Sequence, residues 1–129
     1  MAITHTNVTT AFVRNALADL IATKVDTGAG TAKVRIRAST TTLVDIDLAA
    51  TPFGAAASAV ITAAGLPKEG TVTGAGSADN FQVLDQDGNS VFAGSVTATG
   101  GGGDMTLSSV TLAINDVVRI NTFTYTAPP

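Results

Sequence analysis

A mainly β domain with one helix at its N-terminal end is the fold class this sequence predicts. Three observations point to it. The apolar residues follow a helical period only between Val8 and Val25. From Lys33 onward the period is two. The rest is a series of short strand-like runs separated by Gly, Asn, Asp and Pro, the pattern of an antiparallel β-sandwich or barrel. The 129 residues predict a single domain, residues 1–129, with a helix at about 8–25 and a β portion at about 31–127.

The helix is read from VTTAFVRNALADLIATKV, residues 8–25. Val13, Leu17, Leu20 and Ile21 recur on one face, with Phe12 and Ala16 beside them. Thr9 or Thr10 is the expected cap, and the turn residues Asp26–Gly30 end the helix. The apolar face is expected to pack on the domain's own sheet rather than on a partner.

The next two runs, KVRIRA and LVDIDL, predict a hairpin. Lys33, Arg35 and Arg37 share one face of the first run, and Asp45 and Asp47 share one face of the second. Folding them antiparallel about Thr41 sets Arg37 opposite Asp45 and Arg35 opposite Asp47. The same register sets Ile36 against Ile46 and Val34 against Leu48. These exposed charge pairs are expected to fix register more than to stabilise.

Residues 51–66 predict an irregular stretch followed by a short strand, ended by Gly65 and Pro67. Further strands are expected at Glu69–Gly76, Asn80–Leu84, Ser90–Thr97, Met105–Leu107, Thr111–Ile114 and Val117–Thr126. Gly100–Gly103 form a flexible connection.

The stretch FQVLDQDGNSVFAGSVT contains the nearest approach to a metal motif. Asp85, Asp87 and Asn89 occupy the first, third and fifth positions of a calcium loop. Its sixth and twelfth positions, Gly and Glu in an EF-hand, are Ser90 and Val96 here, so no metal is expected. Asp87-Gly88 instead reads as a hairpin turn. A two-residue loop pairs Val83 with Phe92, and a three-residue loop with a glycine bulge pairs Val83 with Val91.

Catalysis finds little material. The one histidine is His5, and there is no cysteine. Asp45 and Asp47 are already matched to arginines. Gly28-Ala29-Gly30 and Gly74-Ala75-Gly76 lack the third glycine of a dinucleotide motif. No catalytic residue and no cofactor is expected.

Charged residues make up 13% of the chain against about 25% in an average domain, and mean hydropathy is +0.35. Threonine-rich strands or burial against other subunits would account for so sparse a charged surface. The net charge of −3 argues against nucleic acid or an anionic membrane as partner. Residues 1–40 carry a net +3 and the remainder −6, but no aromatic residues interleave with the basic ones to stack bases. MAITHTNVTT has no basic start and no apolar segment, so no secretion signal is expected, and the sequon Asn7-Val8-Thr9 reads as chance. The apolar run Phe53–Leu66 is too short to span a bilayer.

The order of KVRIRAST, TLVDIDLA, PFGAAASA, GAGSADNFQVLDQDGNSVFAGSVT and GGGGDMTLSSVTLAINDVVRINTFTYTAPP resembles a family of small virion structural proteins of tailed bacteriophages, of the capsid decoration or cement type. The resemblance covers nearly the whole chain and is carried best by FQVLDQDGNSVFAGSVT and GGGGDMTL. It differs at Ser39–Thr42, where the family pattern has a longer insertion. The resemblance implies a non-enzymatic protein that bridges subunits of the major capsid protein on the virion surface. It also implies assembly as a homo-oligomer; a trimer is one form of it, though the sequence carries no trimer signature. The expected contact residues are Ile3 and His5 near the N-terminus, Phe12 at the helix, and Phe123 and Tyr125 in the terminal strand. Core packing is the first reading of Phe123 and Tyr125 and a partner interface the second. The alternative function is a tail or adsorption component that binds another virion protein or a host carbohydrate. A third reading, a small carbohydrate-active enzyme or lectin-like module, lacks the polar cluster it would need.

Overall fold

The computed structural model describes residues 12–127. They form a mainly β fold with one N-terminal helix, α1, at Phe12–Val25. The strands are β1 (Lys33–Ala38), β2 (Thr41–Asp47), β3 (Val60–Thr62), β4 (Lys68–Thr71), β5 (Gly76–Ser77), β6 (Asn80–Leu84), β7 (Ser90–Ala98), β8 (Met105–Leu107), β9 (Thr111–Leu112), β10 (Val117–Ile120) and β11 (Thr124–Thr126).

A curled five-stranded sheet, in the order β2-β1-β6-β7-β8, organises the chain. All its neighbours are antiparallel except β7 and β8, which run parallel. Three two-stranded ladders, β10-β4, β11-β3 and β5-β9, close round it. Strand β4 lies against β2, and just beyond it the amides of Thr73 and Gly74 both donate to Leu43 O. The enclosed core includes Val34, Ile36, Leu43, Ile46, Ile61 and Val83, all fully buried.

The β1–β2 hairpin forms on the predicted faces but in another register. The turn is Ser39-Thr40, with Ser39 at φ +54°, so Ala38 pairs with Thr41. Arg35 faces Asp45, not Asp47, and Asp47 faces Lys33. Arg37 faces Thr42 and bonds Asn80 Oδ1 on β6 at 2.8 Å, not Asp45. Likewise Val34 meets Ile46 and Ile36 meets Val44. The reason is a β-bulge between Ile36 and Arg37 opposite Leu43. It lets the consecutive residues Leu43 and Val44 both point into the core, where each is fully buried. The bulged register keeps two surface ion pairs, as many as the predicted one, and adds a buried leucine. A shift of two residues preserves both faces, so the period-two pattern alone cannot tell the two registers apart.

The helix is rotated from its expected orientation. Leu17 and Ile21 pack on the core as predicted, and Ala18 and Val25 are fully buried. Leu20, however, is 51% exposed and Phe12 72% exposed, and Ala16 is exposed as well. Polar groups account for the rotation. Asp19 Oδ1 accepts the amide of Ala56 at 2.7 Å, and Asn15 Oδ1 accepts that of Ala59 at 2.7 Å. Arg14 donates to the carbonyl of Ala127. These backbone groups need partners, and the helix turns its polar residues toward them.

Candidate interaction surface

Five of the six aromatic residues gather at one place. Phe123 on the approach to β11 is 8% exposed, with its ring 6.0 Å from Phe53, 5.8 Å from Phe81 and 6.2 Å from Phe92. Tyr125 is half-buried, its ring 5.0 Å from Phe92. Both side chains pack inward, so the core reading of this face holds for Phe123, while Tyr125 also reaches the surface. Gly94 on β7 makes room for the cluster. A Cβ there would lie 2.7 Å from the Phe81 ring, closer than real carbon atoms approach.

Above this aromatic floor runs an open groove of about 580 Å³. Its walls are two strands with no neighbour on their outer side among the described residues. One wall is β11, whose only partner among the described residues is β3. Phe123 O accepts the amide of Ala63 and the amide of Ala127 donates to Ala59 O, each at 2.9 Å. Backbone direction alternates along a strand, so Thr124 and Thr126 turn their N–H and C=O groups away from β3. Both line the groove. The other wall is β8, last in the main sheet. There Leu107 O accepts the amide of Thr99 from the β7 side, which leaves the backbone of Thr106 directed off the free edge.

Asp104 stands at the β8 end of the groove. Its Oδ2 accepts both the amide of Ser95, at 2.9 Å, and the Ser95 hydroxyl, at 3.1 Å. These two bonds, the backbone one first, hold its pKa below the ordinary value and keep it anionic. Asp104 and Thr106 were not among the sequence-predicted contacts. The one local signal was a carboxylate placed directly after four glycines.

The DQDGN stretch forms a hairpin tip. The amide of Asp85 donates to Asn89 O at 2.8 Å, and that of Gly88 to Asp85 O at 3.2 Å, with Gly88 at φ +88°. This is the three-residue loop with a glycine bulge. A further irregularity at Val91 restores the pairing of Val83 with Phe92. The Asp85 carboxylate accepts the amides of Asp87 and Asn89, at 2.9 and 2.8 Å, and the Asn89 side chain. Asp87 faces the turn after α1, where its Oδ1 accepts the amide of Ala29 at 3.3 Å. The carboxylates therefore brace a loop and a turn. Among the described residues no group of three or more His, Asp or Glu side chains is placed to hold a metal ion.

On the outer face of the main sheet, Arg35 forms a bidentate pair with Asp45 at 2.8 and 3.0 Å, and Lys33 bonds Asp47 at 2.6 Å. The Arg35 pKa is raised, chiefly by its hydrogen bond to Asp45. Away from the groove, α1 presents Phe12, Ala16 and Leu20 outward. Ile114 and Val117 are exposed at 58% and 61%. Ile3 and His5 lie outside the described residues. No described helix is long and apolar enough to cross a membrane.

Comparison with protein-family models, with curated proteins and with solved structures finds no match to this chain.

Proposed function

We propose that this chain is a non-enzymatic structural protein of a tailed-phage virion that decorates the capsid and stabilises it by bridging major capsid subunits. The resemblance of FQVLDQDGNSVFAGSVT and GGGGDMTL to decoration proteins is the observation that carries the reading. The surface supports it. Two strand edges, β8 and β11, have no partner among the described residues, and α1 turns Phe12 and Leu20 outward. In a free monomer such features invite aggregation; on a lattice they are covered by neighbours. A protein that binds the assembled shell and not its dissociated subunits shifts the equilibrium toward the shell. Repeated contacts add through avidity, which favours a homo-oligomer.

The test is binding of the purified protein to expanded, undecorated phage heads. Heads are pelleted and bound copies are counted per shell. Saturable binding at a fixed ratio to the major capsid protein, with a rise in shell melting temperature, is the expected result. Retention on isolated tails or host envelopes, with none on heads, overturns it in favour of an adsorption role.

A further inference from the structure

We infer that the groove between β8 and β11 accepts an extended segment of the shell subunit as an added strand, with a Lys or Arg of that segment on Asp104. This rests on the capsid reading above and names the contact through which it acts.

The backbone chemistry selects a polypeptide. Thr124 and Thr126 on one wall and Thr106 on the other direct N–H and C=O groups off free strand edges. An extended chain laid between them satisfies such groups in ladder order, as strand addition does elsewhere. The floor, with Phe92 and Tyr125 half-buried, receives alternate side chains of that strand.

Charge selects the source. The Asp104 Oδ1 atom has no partner among the described residues, while Oδ2 is held by Ser95. A basic side chain complements it. A second copy of this chain has none to offer on a free extended segment. Arg14 is bonded to Ala127, Lys33 to Asp47, Arg35 to Asp45, Arg37 to Asn80 and Arg119 to Glu69. Lys24 sits on α1, and Lys68 on β4 in its ladder with β10. Residues 1–11 contain neither Lys nor Arg, and their one basic side chain, His5, carries no formal charge at pH 7. A Lys or Arg on Asp104 therefore points to another protein, which on the capsid reading is the shell subunit.

The experiment compares amide hydrogen exchange in residues 104–107 and 122–126 of the full chain, free and bound to undecorated heads. Exchange at Thr106, Thr124 and Thr126 is expected to slow at least about tenfold on binding. Thr124→Pro deletes one outward amide without touching the β3 ladder, and is expected to weaken head binding by about tenfold or more. Asp104→Asn keeps an acceptor for Ser95 and removes the charge. It is expected to weaken binding about two- to fivefold at low salt, the range of an exposed ion pair. Saturable head binding with unchanged exchange at these amides overturns the groove proposal and leaves the capsid reading standing. Absence of head binding overturns both. Protection already present in the free chain, and released by deleting residues 1–11, assigns the groove to the chain's own segment and also overturns the proposal.

Discussion

Arg14 donates from Nε and Nη2 to the carbonyl of Ala127, at 3.1 and 2.7 Å, and so ties the first described turn of the helix to the last described residue. The contact spans 113 positions of sequence. Ala127 is fully buried and its amide donates to Ala59 O, and among the described residues its carbonyl accepts only from this guanidinium. A forked donor suits a single oxygen approached by two N–H groups, and an ammonium reproduces only part of that geometry. Arg14→Met, which keeps the stem and loses the donors, is expected to destabilise by about 1.5–3 kcal/mol. Arg14→Lys is expected to lose less than Arg14→Met. Urea unfolding followed by circular dichroism checks both.

Leu43 gives the second prediction. It is the extra residue that the β1–β2 bulge admits to the core, and it is fully buried. Its side chain lies beside Gly76, and its carbonyl receives the amides of Thr73 and Gly74. Leu43→Ala is expected to cost about 2–5 kcal/mol through lost burial and the cavity left behind. Thr41→Ala, two positions away and exposed, is expected to stay within about 0.5 kcal/mol. Equal losses at the two positions would exclude the bulged register.

How much of this was legible in the sequence depends on how local the cause is. Asn80–Leu84 and Met105–Leu107 form as strands at the bounds their alternation and flanking turn residues predict. Val117–Thr126 reads as one strand, yet it divides at Asn121–Phe123. Its first part pairs with β4 and its second with β3, and the choice of two different partners leaves no local mark. Glu69–Gly76 divides for the same reason, between β10 and β9. The orientation of α1 was set by distant amides at Ala56 and Ala59, which no helical period records. The groove is the extreme case. Thr106 and Thr124 come from separate ladders, and only the folded chain sets their free edges on either side of one aromatic floor.

The register itself supplies a third prediction. A double-mutant cycle between Arg35 and Asp45 is expected to return a coupling of about 0.2–1 kcal/mol, since each side chain is about one-third exposed and solvent screens the pair. The cycle between Arg37 and Asp45 is expected to return none within error, because Arg37 lies opposite Thr42 and bonds Asn80. The register predicted from the alternating pattern requires the opposite ranking. Chemical denaturation of the four variants in each cycle decides between them.

The hairpin tip carries the last prediction, a pH dependence. The Asp85 carboxylate accepts backbone amides within its own loop, and these bonds, that of Asn89 foremost, lower its pKa from 3.8. A carboxylate whose folded pKa is depressed binds its proton more readily in the unfolded chain. Its contribution is therefore fully present above the unfolded value and is lost as pH falls through the folded one. Asp104, lowered by the amide and hydroxyl of Ser95, adds a contribution of the same sign. Thermal melts from about pH 6 down to about pH 2 are expected to show stability falling on the acid side of the ordinary aspartate range. Asp85→Asn is expected to lower the melting temperature at neutral pH, where the charged acceptor is lost. As pH falls through the folded value and Asp85 takes up its proton in both states, the variant and the parent are expected to converge. A gap that stays constant across the series would show that the loop is held by its turn geometry and not by the carboxylate charge.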